Sequence, residues 1–380
     1  MKVLMVIPSF APVVGGAERQ LEGLAPELVS RGCDVTVVTR YTGVGPRKDC
    51  RDGYQVRRLS TGGFKLGFHV ALAVCLLWRR SQYRIIHCHT FSGAALICAL
   101  VGIFVRRPVL LKVTRSGPDS QIRAWQSSAA RRFAFRLIRA SGVRFLFVSA
   151  DTLAELHALG VPTQQTCYLP NGVVVRPRPI RDAALPLTVV YTGRLIARKQ
   201  VHLLLRAFAR TTRARTTARL MVIGDGPELP RLQELAGQLD IQSRVDFAGE
   251  MPSGAVLDHL RRAHIFVLPS TSEGMSNSLL EAMAASMAVI GTDIPANREL
   301  ITPELSGLLF DNDVVLSQQL DRLVTDAELR DRLSSGAYDW VAAKHSFRAI
   351  ADICHTIYLS VIAGYAGRHR AASRKGALRS

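Results

Sequence analysis

Ile265-Phe266-Val267-Leu268-Pro269-Ser270-Thr271-Ser272-Glu273-Gly274-Met275-Ser276-Asn277-Ser278-Leu279-Leu280-Glu281-Ala282-Met283-Ala284-Ala285 is the segment around which the chain is organised. Its apolar start reads as a buried strand, the small polar residues as a tight loop, and residues 279–287 as a helix. The loop offers backbone N–H donors, and the helix start behind it carries partial positive charge, so the two form a seat for a phosphate. Two carboxylates flank that seat, Glu273 and Glu281, with seven residues between them. Facing a ligand, they would accept hydrogen bonds from sugar hydroxyls beside the phosphates. Ser278 and Glu281 also have the S-x-x-E spacing of a capping box, in which case Glu281 secures the helix start and touches no ligand.

The same succession opens the chain. Residues 3–7 read as a strand, residues 17–30 carry helical spacing at Leu21, Leu24 and Leu28, and residues 35–39 read as a second strand. This βαβ unit requires a parallel sheet with a right-handed crossover. Its turn, Pro12-Val13-Val14-Gly15-Gly16-Ala17-Glu18-Arg19, sets two glycines before a helix, where a ligand can approach the backbone; the G-x-G-x-x-G dinucleotide fingerprint is absent. Strands are further expected at 84–89, 109–114 and 144–148, then at 187–191, 220–223, 245–248, 265–268 and 289–291. Leu169-Pro170-Asn171-Gly172-Val173, followed by Arg176-Pro177-Arg178-Pro179, reads as a turn and linker between domains 1–170 and 171–345. The economical architecture is α/β, with two doubly wound sheets facing a cleft and ligands at the carboxyl ends of the strands.

A chain of 380 residues, 48% hydrophobic and 21% charged, is globular and long enough for two domains. Its seven cysteines are scattered without C-x-x-C, which speaks against a disulfide framework or a zinc site and for a reducing, cytoplasmic compartment. Residues 1–8 form a short strand cut by proline, so no secretory signal is expected. The longest apolar run, 91–105, falls short of the roughly 20 residues that span a bilayer and reads as a buried helix.

The net charge of +19 is uneven. Lys and Arg against Asp and Glu number 23 to 9 over residues 1–169, 21 to 21 over 170–365, and 5 to 0 over 366–380. Such asymmetry implies a polyanionic neighbour, either nucleic acid or an acidic membrane surface. If residues 125–139 are helical, Arg132, Arg136 and Arg139 form one stripe while Ala130, Phe133 and Leu137 form a separate apolar face that packs on the sheet. Arg79, Arg80, Arg106 and Arg107 add cations to the same half, and the charge pattern predicts reversible binding to acidic membranes.

Three further segments carry chemistry. In Thr192-Gly193-Arg194-Leu195-Ile196-Ala197-Arg198-Lys199, a planar guanidinium and an ammonium can neutralise a leaving diphosphate without a metal. Val222-Ile223-Gly224-Asp225-Gly226-Pro227-Glu228 is a strand, a glycine turn and a helix start, and Val245-Asp246-Phe247-Ala248-Gly249-Glu250-Met251 follows it. His87 and His89 share one face of a strand as metal ligands can, but no third ligand lies nearby, so a structural or acceptor-side role is expected and no metal.

Taken in order, these segments resemble the retaining nucleotide-sugar glycosyltransferases of family four, which have the GT-B fold of two Rossmann-like domains. The resemblance covers most of the chain. It rests on Gly15-Gly16-Ala17-Glu18-Arg19, Gly193-Arg194-Leu195 with Lys199, Gly224-Asp225-Gly226-Pro227, and Glu273 to Ala284. It implies that Arg194 and Lys199 bind the donor phosphates, that Glu273 contacts the transferred sugar, and that Glu281 holds the ribose. Gly15, Gly16, Gly224, Gly226, Gly274, Met275, Ser276, Asn277 and Ser278 would complete the donor site. No cofactor is implied, and UDP is the first expectation for the donor nucleotide. A last helix, about 346–362, would cross back to the first domain before a basic tail, 363–380. Family members commonly carry a histidine where Val113-Thr114-Arg115-Ser116-Gly117 has none, so Thr114, Arg115 or Ser116 would stand in for it, beside His89. The partners implied are a nucleoside-diphosphate sugar and a glycan or lipid-linked acceptor, used in cell-surface polysaccharide or glycolipid synthesis at the inner face of the membrane. A sugar-nucleotide epimerase of the same fold and a basic nucleic-acid-binding protein are the alternatives; the second lacks an aromatic-and-basic RNA motif, and no nucleic acid is expected.

Overall fold

The computed structural model describes residues 1–11, 15–62, 66–117, 120–181, 186–212 and 217–377, with the side chains of the last helix described to residue 365. Pro12, Val13 and Val14 of the first glycine turn lie outside the described residues. The chain forms two compact units, one from Met1–Gly172 together with the chain from Phe347 onward, the other from Val173–Ser346.

The first unit runs β1 (Lys2–Val6), α1 (Gly16–Val29), β2 (Asp34–Arg40), β3 (Lys48–Arg51), β4 (Tyr54–Leu59), α2 (Gly67–Trp78), β5 (Ile85–Cys88), α3 (Gly93–Phe104), β6 (Val109–Val113), α4 (Ala129–Ala140), β7 (Arg144–Phe147), α5 (Ala150–Ala158) and β8 (Thr166–Tyr168). Its sheet has the order β3-β4-β2-β1-β5-β6-β7-β8, parallel except for the β3–β4 hairpin at one edge. Strand β1 lies between β2 and β5, with Val3 opposite both Val35 and Ile85. Chain order reverses across this strand, so the crevice beside it is where such a sheet receives a ligand.

The second unit runs β9 (Thr188–Thr192), α6 (Val201–Thr212), β10 (Arg219–Ile223), α7 (Leu229–Gln238), β11 (Val245–Gly249), α8 (Ser253–Arg262), β12 (Ile265–Leu268), α9 (Asn277–Ala284), β13 (Ala288–Thr292), α10 (Pro295–Arg298), β14 (Leu308–Phe310), α11 (Asp313–Thr325) and α12 (Ala327–Lys344). The sheet is parallel in the order β11-β10-β9-β12-β13-β14. Every residue of β12 is buried, as a strand covered on both faces should be. Two parallel α/β units of this kind make the GT-B fold.

The first sheet packs α1 and the final helix α13 (Phe347–Ala377) on one face and α2, α3 and α4 on the other. Helix α13 runs well past the end expected near residue 362, into the expected tail. Phe347–Tyr365 is long and apolar enough to cross a membrane by composition, yet Ile350, Ala351, Cys354, Tyr358 and Val361 belong to the core of this unit. At Gly23 of α1 a Cβ would come within 2.0 Å of the Phe347 ring, so glycine there permits the close approach.

Two expectations about the other face need correction. Helix α3 is buried on one side only, since Leu100, Ile103 and Phe104 are exposed. Helix α4 turns Phe135 and Ile138 inward and leaves Phe133 and Leu137 in solvent. The apolar residues at 133, 135, 137 and 138 allow either face to pack, and Arg139 fixes the rotation by donating from one Nη to the carbonyls of Leu159 and Gly160, both at 3.1 Å. Arg139 therefore serves the fold and leaves the basic stripe.

Candidate active site

Strand β9 ends at Thr192, just before Gly193, and leads to a short turn, Ala197–Lys199, whose last residues meet the loop after β12. The Lys199 ammonium lies 2.5 Å from a Glu273 carboxylate oxygen, and an Arg198 Nη lies 3.7 Å from the same oxygen. The Arg198 guanidinium also donates to the Ser272 carbonyl, and the Thr271 amide donates to the Arg198 carbonyl at 3.0 Å. Lys199 and Glu273 are only about a tenth exposed, so neither charge is well served by water and each depends on the other. One carboxylate between two cations leaves an excess positive charge at this point. Arg198, which sequence reading left without a role, locks the two loops together; its only signal was a third cation in that segment.

Arg194, five residues before Lys199, is exposed. Its carbonyl accepts from the Tyr191 hydroxyl at 3.2 Å, which fixes the backbone beneath it. Gly224 and Gly226 have φ of 137° and 155°, and a Cβ would fall 2.0 Å from the Gly193 carbonyl and 2.3 Å from the Leu195 carbonyl. Leu195 N–H donates to the Asp225 carbonyl and Glu228 N–H to the Leu195 carbonyl. The two glycines let these loops stack backbone on backbone, which accounts for them whether or not a ligand approaches.

Helix α9 is capped by Ser276, whose hydroxyl accepts from the Leu279 amide at 3.3 Å and lies 3.1 Å from the Ser278 hydroxyl. The helix thus begins at Asn277, two residues before the expected start, and Ser278 stands within its first turn. The S-x-x-E spacing of Ser278 and Glu281 is therefore no capping box, because the residue three beyond the true cap is Leu279. Gly274, Met275 and Ser276 are buried, and Asn277, Ser278 and Glu281 are half-buried, so the loop lies at the foot of the helix beside Glu273.

In the first unit, Gly15 precedes α1 in extended conformation, and a Cβ would come 2.3 Å from a Glu18 carboxylate oxygen; the other oxygen accepts from Ser9 Oγ at 2.6 Å. Gly16 is exposed at the first position of α1. His87 and His89 stack with ring centroids 4.0 Å apart, and His87 Nδ1 lies 2.7 Å from the Tyr358 hydroxyl. Burial, followed by the charge of Lys112, pushes His87 down to about 3. Burial, His87 and Lys112 hold His89 well below its ordinary value. Both rings are therefore neutral at neutral pH, and among the described residues no group of three His, Cys, Asp or Glu side chains is set to hold a metal.

Thr114 is half-buried, Arg115 exposed and Ser116 buried. The Thr114 amide donates to Gln121 Oε1 at 3.1 Å. Glu155 of α5, unremarked in the sequence, ties the loop down: it accepts from the Gly117 amide at 2.8 Å and from the Ser120 hydroxyl, and pairs with Arg123 at 3.3 Å. An open cavity of about 820 Å³ lies over the carboxyl ends of β1 and β2 and the start of α3, lined by Pro8, Arg40, Tyr41, His69, Ser92 and Gly93 among others.

Comparison with known proteins identifies the family and the fold. The family model for "Glycosyl transferases group 1" matches residues 182–340, and that for "Glycosyl transferase 4-like domain" matches residues 15–172. The lipopolysaccharide core biosynthesis glycosyltransferase LpsD of Rhizobium meliloti is 26% identical over 89% of this chain and 93% of its own. The GDP-mannose-dependent alpha-(1-6)-phosphatidylinositol monomannoside mannosyltransferase of Mycobacterium tuberculosis is 26% identical over 92% of this chain and 96% of its own. Among solved structures, Anabaena Alr3699/HepE in complex with UDP and glucose superposes with a TM-score of 0.76 at 18% identity, covering 95% of this chain and all of that one, which shows a shared fold. Matched by family models over both units and by relatives along nearly its full length, the chain belongs to the family-four glycosyltransferases of GT-B fold and is a glycosyltransferase.

Proposed function

We propose that this enzyme transfers a sugar, with retention, from a UDP-sugar to a glycan or lipid-linked acceptor in cell-surface polysaccharide or glycolipid synthesis, at the cytoplasmic face of an acidic membrane. The observation that carries this reading is the Lys199–Glu273 pair, braced by Arg198, at the foot of α9. Positive charge fixed in a poorly hydrated site stabilises a departing diphosphate most strongly as its charge develops. In this reading Lys199 and Arg194 hold the phosphates, with loop amides around Gly274 to Ser278 completing the seat. Glu273 accepts from hydroxyls of the transferred sugar while orienting Lys199, and Glu281 accepts from the ribose. Gly15 and Gly16 leave room for the diphosphate. The leaving phosphate takes the proton of the acceptor hydroxyl, and Arg194 and Lys199 neutralise its charge in place of a metal. Thr114, Arg115 and Ser116, with neutral His89, serve the acceptor.

Support for a lipid-bound acceptor comes from the charge of the first unit and from the lipid substrate named for the mycobacterial relative. UDP is favoured by the ligand of the Anabaena structure, and GDP is the competitor named for that same relative. Thermal unfolding with UDP, GDP and ADP separates them: a ligand at 100 times its dissociation constant adds about 2.7 kcal/mol. A shift with UDP alone is expected, and none with any nucleotide would refute the donor site.

A further inference from the structure

Helices α2, α3 and α4 lie side by side on one face of the first sheet; the outer sides of α2 and α3 are apolar, and that of α4 mixes apolar residues with arginine. Leu66, at the N-cap of α2, and Val70, Val74 and Trp78 within it repeat every four residues and are all exposed, forming a single stripe. Leu100, Ile103 and Phe104 continue it on α3, and Phe133 and Leu137 on α4. Trp78 is 87% exposed and Phe104 84%, far from the burial such side chains ordinarily find. The two helix ends that carry them are held together, because the Arg107 guanidinium donates to the Arg80 carbonyl at 3.1 and 3.3 Å.

No charged residue occurs within α2 or α3, but cations gather at their ends and on α4: Arg79, Arg80, Arg106, Arg107, Arg132 and Arg136. Between Asp52 and Asp151 the chain holds sixteen Lys and Arg and a single acid, Asp119. A second copy of this surface would set arginine against arginine with at most one carboxylate per chain from that stretch to answer sixteen cations, whereas an anionic lipid surface complements both the cations and the apolar stripe. Each helix has 12 residues, about 18 Å in length, so neither crosses a hydrocarbon core of about 30 Å. Aromatic side chains beside arginine are the residues that settle at the headgroup boundary.

We propose that the outer faces of α2, α3 and α4 form one surface that inserts Trp78, Phe104 and their apolar neighbours into the interface of an anionic bilayer. The inference rests on the membrane reading above and adds insertion to electrostatic attraction. The full chain is mixed with vesicles of phosphatidylcholine, with or without phosphatidylglycerol, and Trp78 fluorescence is taken as the difference between the wild type and Trp78→Phe, which removes the signals of Trp125 and Trp340. With anionic vesicles Trp78 emission shifts to the blue and is quenched by lipids brominated in the acyl chain; with neutral vesicles neither occurs. Trp78→Ser with Phe104→Ser leaves the melting temperature unchanged and lowers partitioning by about 10²-fold, roughly tenfold for each side chain. Salt-sensitive binding without quenching, and unchanged in the double variant, overturns insertion while leaving charge-driven membrane binding standing. Absence of binding to either vesicle overturns both. A lipid-free dimer that the double variant abolishes assigns the face to self-association and overturns the proposal.

Discussion

Replacing Lys199 by alanine strips Glu273 of its closest cation, at 2.5 Å, in a place where both side chains are about a tenth exposed. Breaking a buried ion pair by removing one partner costs about 3–5 kcal/mol, chiefly because a charge is left buried and unanswered. Arg198 remains 3.7 Å from the same carboxylate oxygen and keeps part of that interaction, so we expect a loss of about 2 kcal/mol, a fall of about 4–8 °C in the melting of a unit of this size. Lys199→Ala with Glu273→Ala removes both charges and recovers most of that stability, since no carboxylate is then left unpaired. Turnover behaves differently. If the ammonium stabilises charge on the departing phosphate, Lys199→Ala lowers kcat by about 10²-fold, and the double variant recovers none of it. Differential scanning calorimetry and nucleotide release on the two single variants and the double separate the effects. A Lys199→Ala protein as stable as wild type would refute the buried pair, and a double variant with restored turnover would show the pair to be purely structural.

Four other outcomes follow from the geometry. Glu281→Gln weakens nucleoside diphosphate binding in calorimetric titration with a stability change under about 0.5 kcal/mol, whereas Ser276→Ala, the true cap, costs about 1 kcal/mol. Gly224→Ala lowers the denaturation midpoint markedly, because its Cβ would sit 2.0 Å from the Gly193 carbonyl at a φ of 137°. Glu155→Gln loosens the hold on Gly117, read as faster exchange of its amide, which donates to that carboxylate. Burial holds His87 down to about 3 against an ordinary 6.5, so the unfolded chain takes up that proton first as acid is added. The stability due to neutral His87 is complete above about pH 6.5 and is lost as pH falls toward 3, by up to about 1.4 kcal/mol per pH unit; His87→Gln flattens that slope in denaturation series.

Strands covered on both faces were plain in the sequence, because their apolar runs are continuous: β12 was expected at 265–268 and is found there. The hairpin of β3 and β4 was missed, since Lys48–Arg51 is polar except for Cys50 and Tyr54–Leu59 mixes arginine into its alternating pattern. Strands β8 and β14 have three residues each, too few for any period to register. At the candidate site, loop glycines and single charged residues stand out locally in the sequence, whereas the pairing of Lys199 with Glu273, 74 residues apart, does not. The roles of Arg198 and Glu155 were hidden for the same reason, since they depend on partners 74 and 38 residues away. The rotation of α4 was equally hidden, being set by Arg139 reaching Leu159 and Gly160.

Arg194 offers the most direct test of the donor site, because its side chain is exposed and its loss should leave the fold intact. Purified wild type and Arg194→Ala are incubated with labelled UDP-, GDP- and ADP-sugars and a lipid-linked acceptor in anionic vesicles, following free nucleoside diphosphate and glycosylated product together. The account predicts that the wild type releases UDP in step with product of retained anomeric configuration, and that Arg194→Ala does so about 10²-fold more slowly at unchanged melting temperature. Equal rates for the two proteins, or no nucleoside diphosphate from any donor, would contradict it.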